Sequence, residues 1–197
     1  MKLGIFGGSF DPPHVGHLIV ADDAAAALDL ERVLFIPTGE HPLKGARVVA
    51  PADLRLEMVR AATEGSELFA VDSREMMRPG PSYTLDTVEE LVAENPGSEL
   101  YLLVGTDILA ELQRWHRIEE IGKRARIAVM SRADVTGPVV DFDTIRVEVT
   151  HIAVSSSEIR ERIHGGRPYR YLVPPGVKRI IEQHGLYRDT SLKSVRR

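Results

Sequence analysis

The chain has 197 residues, 43% of them apolar, and a formal net charge of −4 at pH 7, which fits one α/β-sized domain. Its Lys and Arg residues are scattered, unlike those of a nucleic-acid binder, and the absence of cysteine excludes a disulfide framework and thiolate metal ligands. With no signal peptide and no apolar run of bilayer length, we expect a cytoplasmic protein without a membrane partner.

Short apolar segments alternate with longer amphipathic ones along the chain. The apolar segments predict β-strands at residues 2–6, 32–37, 68–72, 100–104, 126–131 and 145–150. Apolar residues at helical spacing predict helices at residues 15–30, 52–64 and 85–94, the last with Ser82 as its N-cap. Residues 38–51, 77–81 and 132–143 have the composition of loops.

This alternation predicts the α/β class, as a Rossmann-like doubly wound parallel sheet with helices on both faces. A short C-terminal helical segment follows at residues 167–186 and is expected to pack back on the domain rather than form a separate one. We predict a single domain over residues 1–188 and a flexible tail over 189–197. Sheets of this kind bind ligands beyond the carboxyl ends of their strands.

The first such strand leads directly into an unusual segment. Residues 4–17 combine the strand end, the glycines Gly7 and Gly8, a turn, and then His14 and His17 at a helix start. Glycines and the N–H groups at a helix N-terminus suit a phosphate, and the two imidazoles can donate hydrogen bonds to it. The alternatives are a pair of surface histidines or a zinc pair, which would need further ligands. The glycine turn favours phosphate.

A second anion site is predicted near the C-terminus. Three serines at residues 155–157 precede a helical pattern, and Arg160 lies one turn inside it. Serines at such a position usually indicate only a helix cap. The hydroxyls, the helix N–H groups and an arginine nevertheless suit an anion. Two anion sites at one sheet edge suit a polyphosphate such as ATP.

These two motifs resemble the N-terminal signature and the C-terminal element of the nucleotidylyltransferase superfamily. Residues 7–18 match its signature, with the H-x-G-H core at His14 to His17, and residues 155–160 match its S-S-T-x-x-R element with Ser157 in place of threonine. Three stretches between them are similar to bacterial nicotinate-mononucleotide adenylyltransferases. They are the S-Y-T-x-x-T pattern at 82–87, the G-x-D pattern at 105–107 followed by Trp115, and a loop lysine, Lys44, preceded by His-Pro-Leu rather than Pro-Pro-His.

The resemblance implies a role for each matching residue. The catalytic residues would be His14, His17 and Arg160. The ATP-binding residues would be Gly8, Ser9, Phe10, Gly16, Gly105, Asp107, Ser155 and Ser156. The residues that bind the mononucleotide would be Lys44, Tyr83, Thr84 and Trp115.

The resemblance further implies transfer of the adenylyl group of ATP to nicotinate mononucleotide, giving nicotinate adenine dinucleotide and pyrophosphate. Mg²⁺ would arrive on the ATP triphosphate, without metal ligands from the protein. A bound triphosphate should raise the pKa of both histidines. The alternatives are phosphopantetheine or nicotinamide-mononucleotide adenylyltransferase, or a non-catalytic nucleotide sensor. ATP and nicotinate mononucleotide are the expected partners, and a homo-oligomer is left open.

Overall fold

One parallel sheet organises the chain, whose computed structural model describes residues 1–40, 48–106, 108–112, 114–131 and 143–188. Its described strands are β1 (Lys2–Gly8), β2 (Arg32–Pro37), β3 (Phe69–Val71), β4 (Glu99–Gly105), β5 (Arg126–Ser131) and β6 (Thr144–Glu148). Their order across the sheet is β3-β2-β1-β4-β5-β6, and every neighbouring pair is parallel. The predicted doubly wound sheet is confirmed.

Helices lie between the strands and cover both faces of the sheet. They are α1 (Val15–Leu28), α2 (Ala52–Thr63), α3 (Arg74–Met77), α4 (Thr84–Glu94), α5 (Leu109–Leu112), α6 (Ile118–Arg124), α7 (Ser156–His164) and α8 (Pro175–His184). The three long predicted helices correspond to α1, α2 and α4, with ends within two residues of the prediction.

Two helix ends differ from the prediction for local reasons. α1 stops at Leu28 rather than at residue 30 because Asp29 takes a left-handed conformation (φ 57°), and its N–H caps the carbonyl of Ala25. The N-cap of α4 is Tyr83, not Ser82. The hydroxyl of Ser82 instead donates to the carbonyl oxygen of Glu75, at 3.4 Å.

Side chains alternate across the central strand, so the sheet is packed on both faces. Ile5 faces one layer, where it packs with Leu91 of α4 and Ile121 of α6. Phe6 faces the other layer, where it packs with Ala25 of α1. Coverage on both faces explains why the strands are nearly continuous apolar runs.

The C-terminal helices form a third apolar cluster beside the sheet. Val177 and Ile181 of α8 pack with Met58 of α2 and Ile159 of α7. This packing holds the beginning of α7 beside the carboxyl end of β1. Among the described residues, no helix is both long and apolar enough to cross a bilayer.

Candidate active site

A cleft of about 1180 Å³ lies at the carboxyl ends of β1, β4 and β5. It lies where the strand order reverses between β1 and β4, the usual ligand position in such sheets. Every predicted site residue that the structure describes lines it: Gly8, Ser9, Phe10, His14, Gly16, His17, Tyr83, Thr84, Gly105, Trp115, Ser155, Ser156 and Arg160. Lys44 and Asp107 lie outside the described residues.

The loop that follows β1 is held in place by its carbonyl oxygens. The hydrogen bonds run from Thr38 N to Gly8 O (2.9 Å), from Arg55 Nη1 to Ser9 O (2.8 Å), from Arg160 Nη1 to Asp11 O (2.7 Å) and from Ser156 Oγ to Pro12 O (2.8 Å). Each of these bonds partly offsets the negative charge of a carbonyl oxygen near the cleft and so reduces its repulsion of an anion. The loop therefore suits a phosphate.

Two stacked histidines stand at the start of α1. The ring centroids of His14 and His17 are 3.6 Å apart, with 21° between the planes. The backbone N–H of His14 donates to Nδ1 of His17, at 3.1 Å. Burial lowers the pKa of His14 to about 4, and burial together with the neighbouring His14 lowers the pKa of His17 well below its ordinary value. Both rings are therefore neutral at pH 7 in the absence of a ligand.

Phe10 and Gly16 hold these imidazoles in place. The ring of Phe10 is 1% exposed and meets the ring of His17 edge-on, with centroids 5.1 Å apart. Phe10 has φ 46°, a strained conformation for a bulky residue, and such strain is concentrated at functional sites. At Gly16 a Cβ would lie 3.1 Å from His14 Nδ1 and 3.0 Å from a methyl group of Val154. A larger residue there would push His14 or Val154 by a few tenths of an ångström, so glycine favours the close packing of the two motifs.

The start of α7 meets the loop after β1 directly. Ser155 is the N-cap, and its hydroxyl accepts a bond from Glu158 N at 3.1 Å. Ser156 donates its hydroxyl to Pro12 O. Arg160 donates to Asp11 O and, at 3.0 Å, to Ser157 Oγ. The two sequence motifs, some 140 residues apart, therefore form one wall of the cleft.

The other end of the cleft lies at the start of α4. Tyr83 is the N-cap and Thr84 the first helical residue, so the first N–H groups of α4, which have no partner within the helix, lie beside the cavity. The ring of Tyr83 lies 4.9 Å from that of His116. Trp115 is partly buried against the apolar core and lines the same end. A planar aromatic ring that carries a carboxylate fits these surroundings, since the ring can contact the aromatic side chains and the carboxylate the helix N-terminus.

The sequence did not indicate Glu75, which lies at this end of the cleft. It is 6% exposed, and its Oε1 accepts a hydrogen bond from the hydroxyl of Thr87 at 3.0 Å. Burial raises the pKa of Glu75 to about 7. Glu75 lies in a helix of one turn, too short to show a periodic pattern, so no sequence signal marks it as buried.

Asp11, Arg55 and Tyr187 were also missed. Asp11 is 1% exposed and Arg55 is 2% exposed, and both support the loop after β1. Tyr187 is 8% exposed and donates its hydroxyl to Asp11 Oδ1 at 2.7 Å. Only the position of Asp11 inside the first motif could have drawn attention to this group.

No group of three or more His, Asp or Glu side chains that could hold a metal ion is present in the part of the chain that the structure describes. The polar side chains that line the cleft are mainly hydroxyl, imidazole and guanidinium groups, and Asp11 and Glu75 are the carboxylates among the described lining residues. Donors of this kind suit an anion, and a cation could enter with that anion.

A sequence profile of the family described as Cytidylyltransferase-like matches residues 5–162. A protein of Geobacillus thermodenitrificans named "Probable nicotinate-nucleotide adenylyltransferase" is 43% identical over 190 residues, covering 94% of this chain and 86% of that protein. A Gemmatimonas aurantiaca protein of the same name is 44% identical over 198 residues, covering 96% and 93%. A solved structure of the nicotinic acid mononucleotide adenylyltransferase of Plasmodium falciparum with NaAD has a TM-score of 0.75 at 16% identity, covering 94% and 97%. That likeness shows the fold.

Proposed function

Because the chain belongs to the cytidylyltransferase-like family and, within it, to the nicotinate-nucleotide adenylyltransferases, we propose that it transfers the adenylyl group of ATP to nicotinate mononucleotide. The products are nicotinate adenine dinucleotide and pyrophosphate, in a step of NAD biosynthesis. The chain is accordingly a nucleotidyltransferase enzyme.

One observation carries the proposal: the histidine motif and the Ser-Arg motif meet at the same wall of the cleft. Arg160 Nη1 lies 2.7 Å from Asp11 O, and Asp11 belongs to the loop that leads to His14 and His17. A single triphosphate at this wall could contact the imidazoles and the guanidinium at once. The opposite end of the cleft, at Trp115, leaves space for the second nucleotide.

The reaction requires positioning and charge stabilisation more than a strong base. An oxygen of the mononucleotide 5′-phosphate attacks the α-phosphorus of ATP, and the bond from that phosphorus to the bridging oxygen of pyrophosphate breaks. The phosphate nucleophile is largely ionised at neutral pH because its second pKa is about 6. No covalent enzyme intermediate is needed. The protein holds two anions in line and stabilises the charge that develops on the leaving group.

His14, His17 and Arg160 would supply this stabilisation. The imidazoles would donate hydrogen bonds to oxygens of the α- and β-phosphates, and Arg160 with the start of α7 would hold the outer phosphates. Backbone N–H groups of residues 8–10 would complete the cradle. A bound triphosphate favours the imidazolium, so the pKa of both histidines would rise from its low value in the unliganded protein.

We propose that the ATP substrate is its Mg²⁺ complex. Magnesium keeps most of its water ligands and binds mainly through substrate phosphates. This agrees with a cleft whose hydrogen-bond donors suit phosphate oxygens. The proposal also places the reaction in the cytoplasm, where ATP is available, with ATP and nicotinate mononucleotide as partners. Lys44 and Asp107 keep their proposed roles toward the mononucleotide and ATP.

The N-terminus of α4 would select the acid over the amide. Tyr83 and Thr84 begin this helix, and its N–H groups and partial positive charge favour a carboxylate such as that of nicotinate. Nicotinamide carries no charge and gains less from the same groups. Trp115 would stack on the pyridine ring.

Pyrophosphate release from the purified protein with MgATP tests the proposal. Four reactions are compared: nicotinate mononucleotide, nicotinamide mononucleotide, phosphopantetheine and no acceptor. We expect release with the first, weaker release with the second, and none with the other two. Release with phosphopantetheine alone would identify the alternative transferase, and ATP binding without release in any reaction would identify a nucleotide sensor.

A further inference from the structure

Asp11 connects the loop after β1, where the proposed function places the phosphates, to the C-terminal end of the described chain. Oδ1 of Asp11 accepts hydrogen bonds from the Tyr187 hydroxyl at 2.7 Å and from Ala50 N at 3.1 Å. Oδ2 accepts a bond from Val49 N at 2.7 Å. Three donors therefore satisfy a carboxylate that is almost fully buried, as a buried charge requires.

The same aspartate is also a neighbour of Arg160. Nη1 of Arg160 donates to the backbone oxygen of Asp11 and lies 3.8 Å from its Oδ2. The proposed function assigns Arg160 to the phosphates of ATP. The carboxylate of Asp11 and the triphosphate are therefore two anions that compete for one guanidinium.

Tyr187 is placed to weaken the pull of Asp11 on that guanidinium. Burial, together with the charge of Asp11 and the hydrogen bond to it, raises the pKa of Tyr187, so the hydroxyl stays protonated and donates. Tyr187 follows α8, which is capped at its C-terminus by the left-handed Gly185 and buries its apolar face. The donor is consequently held in a fixed position.

On the basis of the proposed function, we propose that Tyr187 is a positioning residue for adenylyl transfer. Its hydroxyl completes the hydrogen bonding of the Asp11 carboxylate, which leaves Arg160 directed at the triphosphate. Without that hydroxyl, Asp11 has lost one donor and draws the guanidinium toward Oδ2. Tyr187 does not touch the substrate; it acts through Asp11 on Arg160.

The test is Tyr187→Phe, which removes only the hydroxyl. We expect kcat/KM for ATP to fall about tenfold, the scale of one hydrogen bond to a charged group, with the KM for nicotinate mononucleotide unchanged. Tyr101→Phe is the matched control. Tyr101 is also buried, and its hydroxyl bonds Glu99 at the start of β4, at the end of the sheet away from the cleft. This control should retain the wild-type constants.

A second pair of variants separates positioning from simple destabilisation. In Asp11→Asn the competing charge is gone, so adding Tyr187→Phe to it should not lower kcat/KM for ATP further. This pair also carries the test if Tyr187→Phe alone does not fold, because Asp11→Asn removes the buried charge that has lost one of its three hydrogen-bond donors. Wild-type constants in folded Tyr187→Phe, or an equal loss in the Asn background, would overturn the proposal. A wild-type protein that releases no pyrophosphate would instead refute the proposed function.

Discussion

The backbone N–H of His14 donates a hydrogen bond to Nδ1 of His17, 3.1 Å away. An atom that accepts such a bond carries no proton, so neutral His17 has its proton on Nε2. One imidazole thus caps the start of α1 with one nitrogen and offers a donor with the other. The helix cap therefore fixes the tautomer in which neutral His17 would donate Nε2–H to a phosphate under the proposed function.

Three substitutions of His17 separate these two tasks. His17→Ala loses both the helix cap at Nδ1 and the donor at Nε2. It should lower turnover by about 10² to 10³, the effect of removing one well-placed donor. His17→Asn can place an amide oxygen near Nδ1 but nothing at Nε2, so it should keep the cap and lose turnover equally. His17→Gln can place an amide N–H near Nε2. It should retain more turnover than Asn, although it loses a cap of about 1 kcal/mol.

Steady-state rates and thermal melts of the three variants check this prediction. His184→Ala is the control, since His184 is exposed in the last turn of α8. It should leave turnover unchanged. If the Asn variant were the more active of the two amides, the donor assigned to Nε2 would be wrong.

Arg160→Lys tests the second anion site. Arg160 donates to Asp11 O from Nη1 and to Ser157 Oγ from Nη2, whereas a lysine donates from one nitrogen and cannot occupy both positions while also holding a phosphate. We expect kcat/KM for ATP to fall by about 10- to 100-fold. Arg162→Lys on the same helix is the matched control, because Arg162 forms a surface pair with Glu158 that contributes only about 0.3–0.5 kcal/mol. Equal losses in the two variants would show that Arg160 has no special role.

The regular elements could be predicted because each carries several periods of its pattern. The strands and the helices α1, α2 and α4 are of this kind. The short helices α3 and α5, of four residues each, could not, since one turn shows no repeat. Ser82 was predicted as a helix cap because its residue type fits that position. Its hydroxyl instead donates to the carbonyl oxygen of Glu75, a tertiary contact that the local sequence does not indicate.

The parts of the site that bear motifs could be predicted, and their supports could not. His14, His17 and Arg160 belong to short segments whose residue types indicate phosphate binding. Arg55 instead resembles an ordinary helix surface charge, and Tyr187 lies next to a segment that resembles a tail. Their roles arise from contacts across 46 and 176 positions of sequence, which no local pattern encodes.

Substitutions of Trp115 test whether the end of the cleft near the start of α4 binds the pyridine ring. The Trp115 ring is partly buried and lines the cavity beside Tyr83. Trp115→Ala should raise the KM for nicotinate mononucleotide about tenfold, because an aromatic stack contributes about 0.5–1.5 kcal/mol beyond area burial. Trp115→Phe should raise it less. Both variants should leave the KM for ATP near its wild-type value, and an equal rise for both substrates would indicate general damage to the cleft.

Glu75 makes the stability of the fold depend on pH. Its pKa is about 7 in the folded protein against 4.5 as its ordinary value, because burial opposes the charge. Below pH 4.5 the carboxyl is protonated in both states and contributes no difference. Between these values the folded state holds a proton that the unfolded state has lost, so stability falls as pH rises, until the loss is complete above pH 7. The loss is about 3 kcal/mol at about 1.4 kcal/mol per pKa unit.

Glu75→Gln removes this titration while it keeps an acceptor for Thr87. The variant should therefore gain stability over wild type at pH 8 and little or none at pH 4.5, measured as urea unfolding at a series of pH values. The buried histidines also titrate, but they contribute equally to both proteins and cancel in the difference. Glu57→Gln, at an exposed position of α2, is the control and should show no such pH-dependent gain. A stability difference between Glu75→Gln and wild type that stays constant from pH 4.5 to pH 8 would mean that burial does not raise the pKa of Glu75.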